Sequence, residues 1–178
     1  MFKILYIILF FFFTSHKSLS NEQSSSELLF EFDGICVKNI HNLQRIRDTA
    51  KVLKWKILPK EMESFGAPDV KGPGFAMWAI DKGNKKFYFV GVNDAQGVNS
   101  CTLVSMEVKI DEVHEMLKKN YRLKLQYKDT QAGFQEYWFY QINILNADKT
   151  YLFLTYSKDK TNPFLNMTIF SNYLMQGR

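Results

Sequence analysis

The sequence predicts an α+β fold in which two N-terminal helices and one middle helix pack on a mainly antiparallel sheet of about six or seven strands. Three observations predict it. Apolar residues recur at spacings of three and four between Leu28 and Leu53 and again between Val113 and Leu117, where a helix would place them on one side. Strand-like runs separated by turn residues occupy most of the remaining chain. Aromatic residues make up 16% of it, which suits a large sheet with bulky side chains to bury.

The first segment reads as an address rather than part of the fold. Lys3 precedes an apolar run from Ile4 to Phe13, and small polar residues follow, the order of a secretory signal peptide. That run is about ten residues, whereas a membrane-spanning helix needs roughly twenty. Ser18-Leu19-Ser20 puts small side chains at the two outer positions a signal peptidase reads, so cleavage is expected between Ser20 and Asn21. Residues 21–178 then form a single exported domain, periplasmic or secreted, with no stable membrane span. Cleavage removes Lys3 and Lys17 and no acid, lowering the formal charge from +5 to +3. With lysines interleaved among acids, this mild excess does not indicate a nucleic-acid partner.

Cys36 and Cys101 are the two cysteines, and an even pair in an exported chain predicts a disulfide. They lack the Cys-x-x-Cys spacing that lowers a thiol pKa for redox work.

After a polar tether at 21–26, Ser24 and Glu27 have the spacing of a capping box, with Leu28, Phe32, Ile35 and Cys36 on one face of a helix that Gly34 weakens and that ends near 38. Leu43, Ile46, Ala50 and Leu53 mark a second helix capped by Asn39 or Asn42, with Pro59 at or beyond its end. Glycine and proline from 60 to 74 predict a surface loop. A hairpin follows, 75–80 and 86–93 around Asp81-Lys82-Gly83-Asn84, then a strand over 100–108. Asp111 is expected to cap the middle helix, and Lys118 and Lys119 suit its negative end. Four further strands are read at 122–127, 134–145, 151–157 and 164–172, joined by turns at 146–149 and 158–163, with consecutive antiparallel pairing. Tyr137-Trp138-Phe139-Tyr140 places rings on both faces of its strand, so neither face can be fully solvated.

Candidate chemistry is sparse. His114-Glu115 begins like a zinc-protease helix, but the second histidine position holds Lys118, so His114 is expected to be a solvated helix-surface residue. The Gly66–Gly74 loop lacks the Gly-Lys-Ser/Thr order of a phosphate loop, although Asp69 and Lys71 would be sensible rim residues of a cleft. There is no Gly-x-Ser-x-Gly elbow for a nucleophile. Asp111-Glu112 and Glu61 with Glu63 are explained by solvation and dipole complementarity. Asn166-Met167-Thr168 matches a glycosylation pattern but falls inside a predicted strand, where it is expected to be unmodified. No cofactor motif is present.

The rings Tyr137, Phe139, Tyr151, Phe153, Tyr156 and Phe170 would form a platform if one sheet face were open, but filling the core beneath the helices is the expected arrangement. The functional reading is by subtraction: a small non-enzymatic binding protein whose partner is an envelope or extracellular protein or a small apolar ligand. An alternative is a sensor with an apolar pocket between helices and sheet, lined by Trp78, Phe89 and Trp138. A hydrolase would need His41 or His114 beside an acid in one cleft. N-terminal sequencing of the exported protein is expected to start at Asn21, and non-reducing alkylation followed by mass measurement is expected to find no free thiol. Two alkylated cysteines would remove the disulfide.

Overall fold

Ser24 opens the first helix as its sequence spacing requires. Its Oγ accepts from the Glu27 backbone N–H at 3.1 Å, satisfying one of the amide groups that a helix start leaves without a partner. A computed structural model describes residues 24–59, 74–83, 87–94, 98–106, 108–131, 135–144, 147–157, 159 and 164–172. The Ser20–Asn21 junction and the loop residues Asp69 and Lys71 lie outside the described residues.

Helix α1 spans Ser25–Ile35 and buries Leu28, Leu29 and Phe32. Asn39 does not cap the second helix; its Nδ2 donates to the Gly34 and Ile35 carbonyls at 2.9 and 3.0 Å, closing the end of α1 through a short 3-10 turn, Val37–Asn39. Asn42 caps helix α2, Leu43–Val52, accepting from the Arg45 N–H at 3.3 Å. The end of α2 is set before Pro59. Lys54 takes φ 52°, and the Lys54 and Trp55 N–H groups donate back to Lys51 and Ala50 at 3.2 and 2.9 Å, a Schellman arrangement in which lysine replaces the usual glycine. Leu53, expected on the apolar side, is therefore left exposed.

Strands β1 (Lys56–Ile57), β2 (Ala76–Asp81), β3 (Phe87–Asn93) and β4 (Val98–Ser105) follow, then helix α3 (Ile110–Asn120). Asp111 is not its cap: Lys109 holds that position without a side-chain bond, and Asp111 and Glu112 sit in the first turn, where their charge complements the helix dipole. Strands β5 (Arg122–Gln131), β6 (Gln135–Ile144), β7 (Ala147–Ser157) and β8 (Phe164–Asn172) complete the chain. β7 begins at Ala147, inside the stretch expected to be a turn.

All eight strands form one antiparallel sheet in the order β1-β2-β3-β4-β8-β7-β6-β5, not the six or seven expected. The additional strand, β1, is two residues long and carries no periodicity to read. Consecutive pairing holds within each half but not between them. Helix α3 carries the chain across the sheet to its far edge, and the return path brings β8 beside β4 in register from Val98↔Asn172 to Ser105↔Leu165. Each half is thus helix followed by a four-stranded meander, a topological duplication with no visible sequence repeat.

The helices share one side of the sheet but do not all pack on it directly. Helix α2 lies against β3 and β4 and α3 against β5, while the backbone neighbours of α1 are α3 and the 3-10 turn. The link from α1 to the sheet is side-chain and covalent. Leu28 and Phe32 join the buried cluster of Val90, Leu103, Leu152, Leu154 and Met167, and Cys36 at the end of α1 is bonded to Cys101 in β4 across a Cα–Cα distance of 5.2 Å. Both cysteines are fully buried. Their bond closes a separation of 65 residues, which in a chain-entropy account stabilises by about 4 kcal/mol. Cys36→Ser/Cys101→Ser should lower the unfolding free energy by roughly that amount in a urea titration. A change below about 1 kcal/mol would mean the helices are held by packing alone.

Candidate functional site

Alternation along the strands divides the aromatic residues between two chemically different faces. Trp138, Tyr140 and Tyr156 point to the helix side, whereas Tyr137, Phe139, Tyr151, Phe153 and Phe170 occupy the other, following the cross-strand pairs Trp138↔Leu154, Phe139↔Phe153 and Tyr151↔Phe170. The expectation that these rings fill the core beneath the helices is corrected for five of the six; only Tyr156 does so.

On the helix side, α3 presents Ile110, Val113, His114 and Leu117 at helical spacing, so His114 faces the sheet. It is 7% exposed, not solvated, and its Nε2 shares a 2.7 Å hydrogen bond with Tyr140 Oη. The ring sits edge-on to Trp138 at 4.8 Å. Beside it, Tyr156 Oη donates to Glu136 Oε2 at 2.7 Å, and Trp138 Nε1 donates to the same oxygen and to Tyr156 Oη at 3.0 Å each. Lys128 Nζ lies 4.1 Å from the Trp138 ring centre and 3.8 Å from Glu136 Oε2. Burial, reinforced by the Lys118 charge, holds the His114 pKa below its usual value, and burial pushes Tyr140 up to about 12. The groups largely satisfy one another, which makes the cluster a polar clamp between α3 and β6–β7.

On the other face, Phe139, Tyr151 and Phe170 form a trio with centroids 5.3–5.7 Å apart and planes within 27° of parallel. Tyr137 stacks on Phe153 at 6.1 Å. None of the five belongs to the core cluster or packs against it, whereas Trp138 does. Next to the rings, Thr102 and Thr168 share a 2.8 Å hydrogen bond, and Thr168 Oγ1 donates to Asn166 Oδ1 at 3.0 Å. Tyr137 Oη donates to Gln135 Oε1 at 3.0 Å. Strands β3, β4 and β8 contain no Asp, Glu, Lys or Arg, and Glu136, the one such residue in β6, points to the helix side. β7, which lies between β8 and β6, carries Asp148 and Lys149 at its start. The edge strand β5 carries Arg122, Lys124 and Asp129.

The residues read as pocket lining do not converge. Trp78 is buried on the helix side against Trp55, centroids 6.4 Å apart, while Phe89 points to the opposite face. Trp138 shares the Trp78 face, but β6 lies five strands from β2, about 24 Å away. Sequence reasoning raised the aromatic platform and missed the clamp, although the 110/113/114/117 spacing carried its signal. Among the described residues no cluster of three or more His, Cys, Asp or Glu could hold a metal ion, and no helix is long and apolar enough to cross a membrane. In comparisons with known proteins, no family model, curated protein or solved structure matches this chain.

A buried neutral histidine makes stability depend on pH. Its folded pKa lies below the unfolded value of about 6.5, so the unfolded chain takes up a proton first as pH falls. The stabilisation is complete above about pH 6.5 and is lost progressively below it, toward the folded pKa. Urea midpoints measured from pH 7.5 to 5 should fall more steeply for the wild type than for His114→Gln. Parallel profiles would show that His114 titrates alike in both states.

Proposed function

We propose that this chain is an exported, non-enzymatic binding protein whose working surface is the aromatic face of the sheet. The observation that carries the reading is the position of Tyr137, Phe139, Tyr151, Phe153 and Phe170 outside the helix-covered core. Rings that serve only stability are normally covered by a second layer, because an uncovered apolar face gains little from folding. Enrichment in Tyr and Phe is a mark of the centre of a protein–protein interface.

Export is supported by the Lys3–Phe13 leader and by the buried Cys36–Cys101 bond, which persists in an oxidising compartment. On this reading residues 1–20 are removed and 21–178 act as one domain. The partner is an envelope or extracellular protein rather than nucleic acid, which would be met by a basic surface.

The test is site-specific photo-crosslinking in the source cells. A photoreactive side chain at Tyr137 should give a discrete adduct, whereas one at Lys51, on the exposed side of α2, should not. The reading falls if Tyr137 gives no adduct or if both positions give the same pattern.

A further inference from the structure

We infer that residues 51–57, where the chain returns from α2 to the edge of the sheet, are a docking site for an anionic lipid surface. The site is separate from the aromatic face and does not depend on its role. Three properties of the segment carry the inference.

The first is aliphatic surface left in water. Val52, Leu53 and Ile57 are 78%, 60% and 67% exposed, although they lie within six residues of one another. Single exposed apolar residues are ordinary, whereas a group of them marks a contact. Leu53 is held out by the Lys54 turn, in which the Trp55 N–H donates back to the Ala50 carbonyl, and Ile57 by its place in the two-residue edge strand. The Trp55 ring between them is half-buried, edge-on to Trp78 and packed against the core, so the aliphatic tips stand on a fixed base.

The second is charge. Residues 45–56 contain five cations, Arg45, Arg47, Lys51, Lys54 and Lys56, and one acid, Asp48, so this short stretch holds a net +4 of the chain's formal +5. Arg47 is committed to Asp94, but Lys51, Lys54 and Lys56 are exposed and form no ion pair with a described acid. The bordering acids are engaged locally: Asp48 accepts from Gln44 Nε2 at 2.8 Å and Asp81 from the Gly83 N–H at 2.7 Å. Ile57 is opposite Trp78 and so shares the helix side of the sheet, which places Lys56 on the other side; lysines thus flank the aliphatic tips on both. Complementing the helix dipole accounts for Lys51 and guarding the sheet edge for Lys56. Neither accounts for the exposed aliphatic residues between them.

The third is the kind of surface these residues make. A specific protein interface takes about 20–30 residues a side, far more than this segment offers. Aliphatic tips that enter the acyl boundary, lysines whose stems snorkel to the headgroups and a tryptophan at the level between them are the means by which a peripheral segment holds an anionic bilayer. Lysine supplies a point charge suited to a fluid array of headgroups, not the planar fork by which arginine reads one fixed anion. Because β1 is the edge of the sheet, docking here leaves the aromatic face of β6, β7 and β8 open to a protein partner. A photoreactive group at Lys51 then meets lipid, which gives no discrete protein adduct, and it remains a valid blank for that face.

Co-sedimentation of the exported protein with vesicles at about 0.1 M salt should show binding to phosphatidylcholine/phosphatidylglycerol and not to phosphatidylcholine alone. Lys51→Gln/Lys54→Gly/Lys56→Gln should lower the partition coefficient about a hundredfold, at about fivefold per lysine, and glycine suits the positive φ at position 54. Leu53→Ser/Ile57→Ser should lower it at least about tenfold while keeping its salt dependence. These side chains are exposed, so both variants are expected to fold, which circular dichroism and an intact disulfide check. A wild type that fails to bind the mixed vesicles overturns the inference, as does equal binding to the neutral ones or binding indifferent to either folded variant. Poly-glutamate bound as tightly as the mixed vesicles, with Leu53→Ser/Ile57→Ser without effect, also overturns it and assigns the lysines to an acidic protein. Each of these results leaves the role of the aromatic face standing.

Discussion

The antiparallel pairing of β4 with β8 is the constraint on which the rest of the structure depends. Without it the chain would be two four-stranded meanders, each with an unpaired edge and half a core. Eight cross-strand pairs join the halves, and two of them, Cys101↔Ile169 and Leu103↔Met167, put fully buried side chains at the centre of the cluster beneath the helices. The Cys36–Cys101 bond attaches the end of α1 to this same seam. One position in β4 thus connects the N-terminal helices, the first meander and the last strand. Its contacts are distant in sequence, so folding must close long loops before they are rewarded.

Joining the halves creates a wide sheet with one layer of helices, and that layer leaves the two faces with different surroundings. On the covered side, aliphatic residues and Tyr88 fill the space below α1 and α2, and the polar clamp around His114 fastens α3 where its neighbour β5 is the sheet edge. Ionic contacts complete the attachment at the periphery: Glu31 of α1 pairs with Lys82, and Arg47 of α2 with Asp94 and the Gly74 carbonyl. Ser25 and Glu112 link α1 to α3 by a 2.8 Å hydrogen bond. The helix layer is therefore fastened at its seam, its ends and its far edge.

The other side shows what the helices do not supply. Rings that touch one another gain some dispersion energy, and near-parallel aromatic pairs contribute about 0.5–1.5 kcal/mol beyond area burial. They still gain less than rings enclosed on all sides. The fold places five of them outside its buried cluster, beside hydroxyls bonded to each other. The edge strand β5 differs again: Leu125 and Tyr127 are exposed, and the register shift between them, with Lys124 and Lys128 on either side, discourages further strands from adding there.

Local features were legible in the sequence wherever neighbouring residues decide the structure. The Ser24 cap, the α2 stripe of Leu43, Ile46 and Ala50, the hairpin at Asp81–Gly83 and the last strand at 164–172 depend on short-range geometry and stand as read. The paired cysteines and the two-sided aromatic strand were legible for the same reason, since alternation and count are written into the chain. Tertiary structure decided the rest. The Lys54 turn needed a backbone conformation that a lysine does not advertise, β1 exists only because β2 offers it an edge, and the β4–β8 seam depends on where α3 carries the chain. The two faces of Tyr137–Tyr140 show the limit most directly: alternation told which rings share a side, but which side the helices would cover was set by packing across the whole sheet, a choice no local stretch of residues contains.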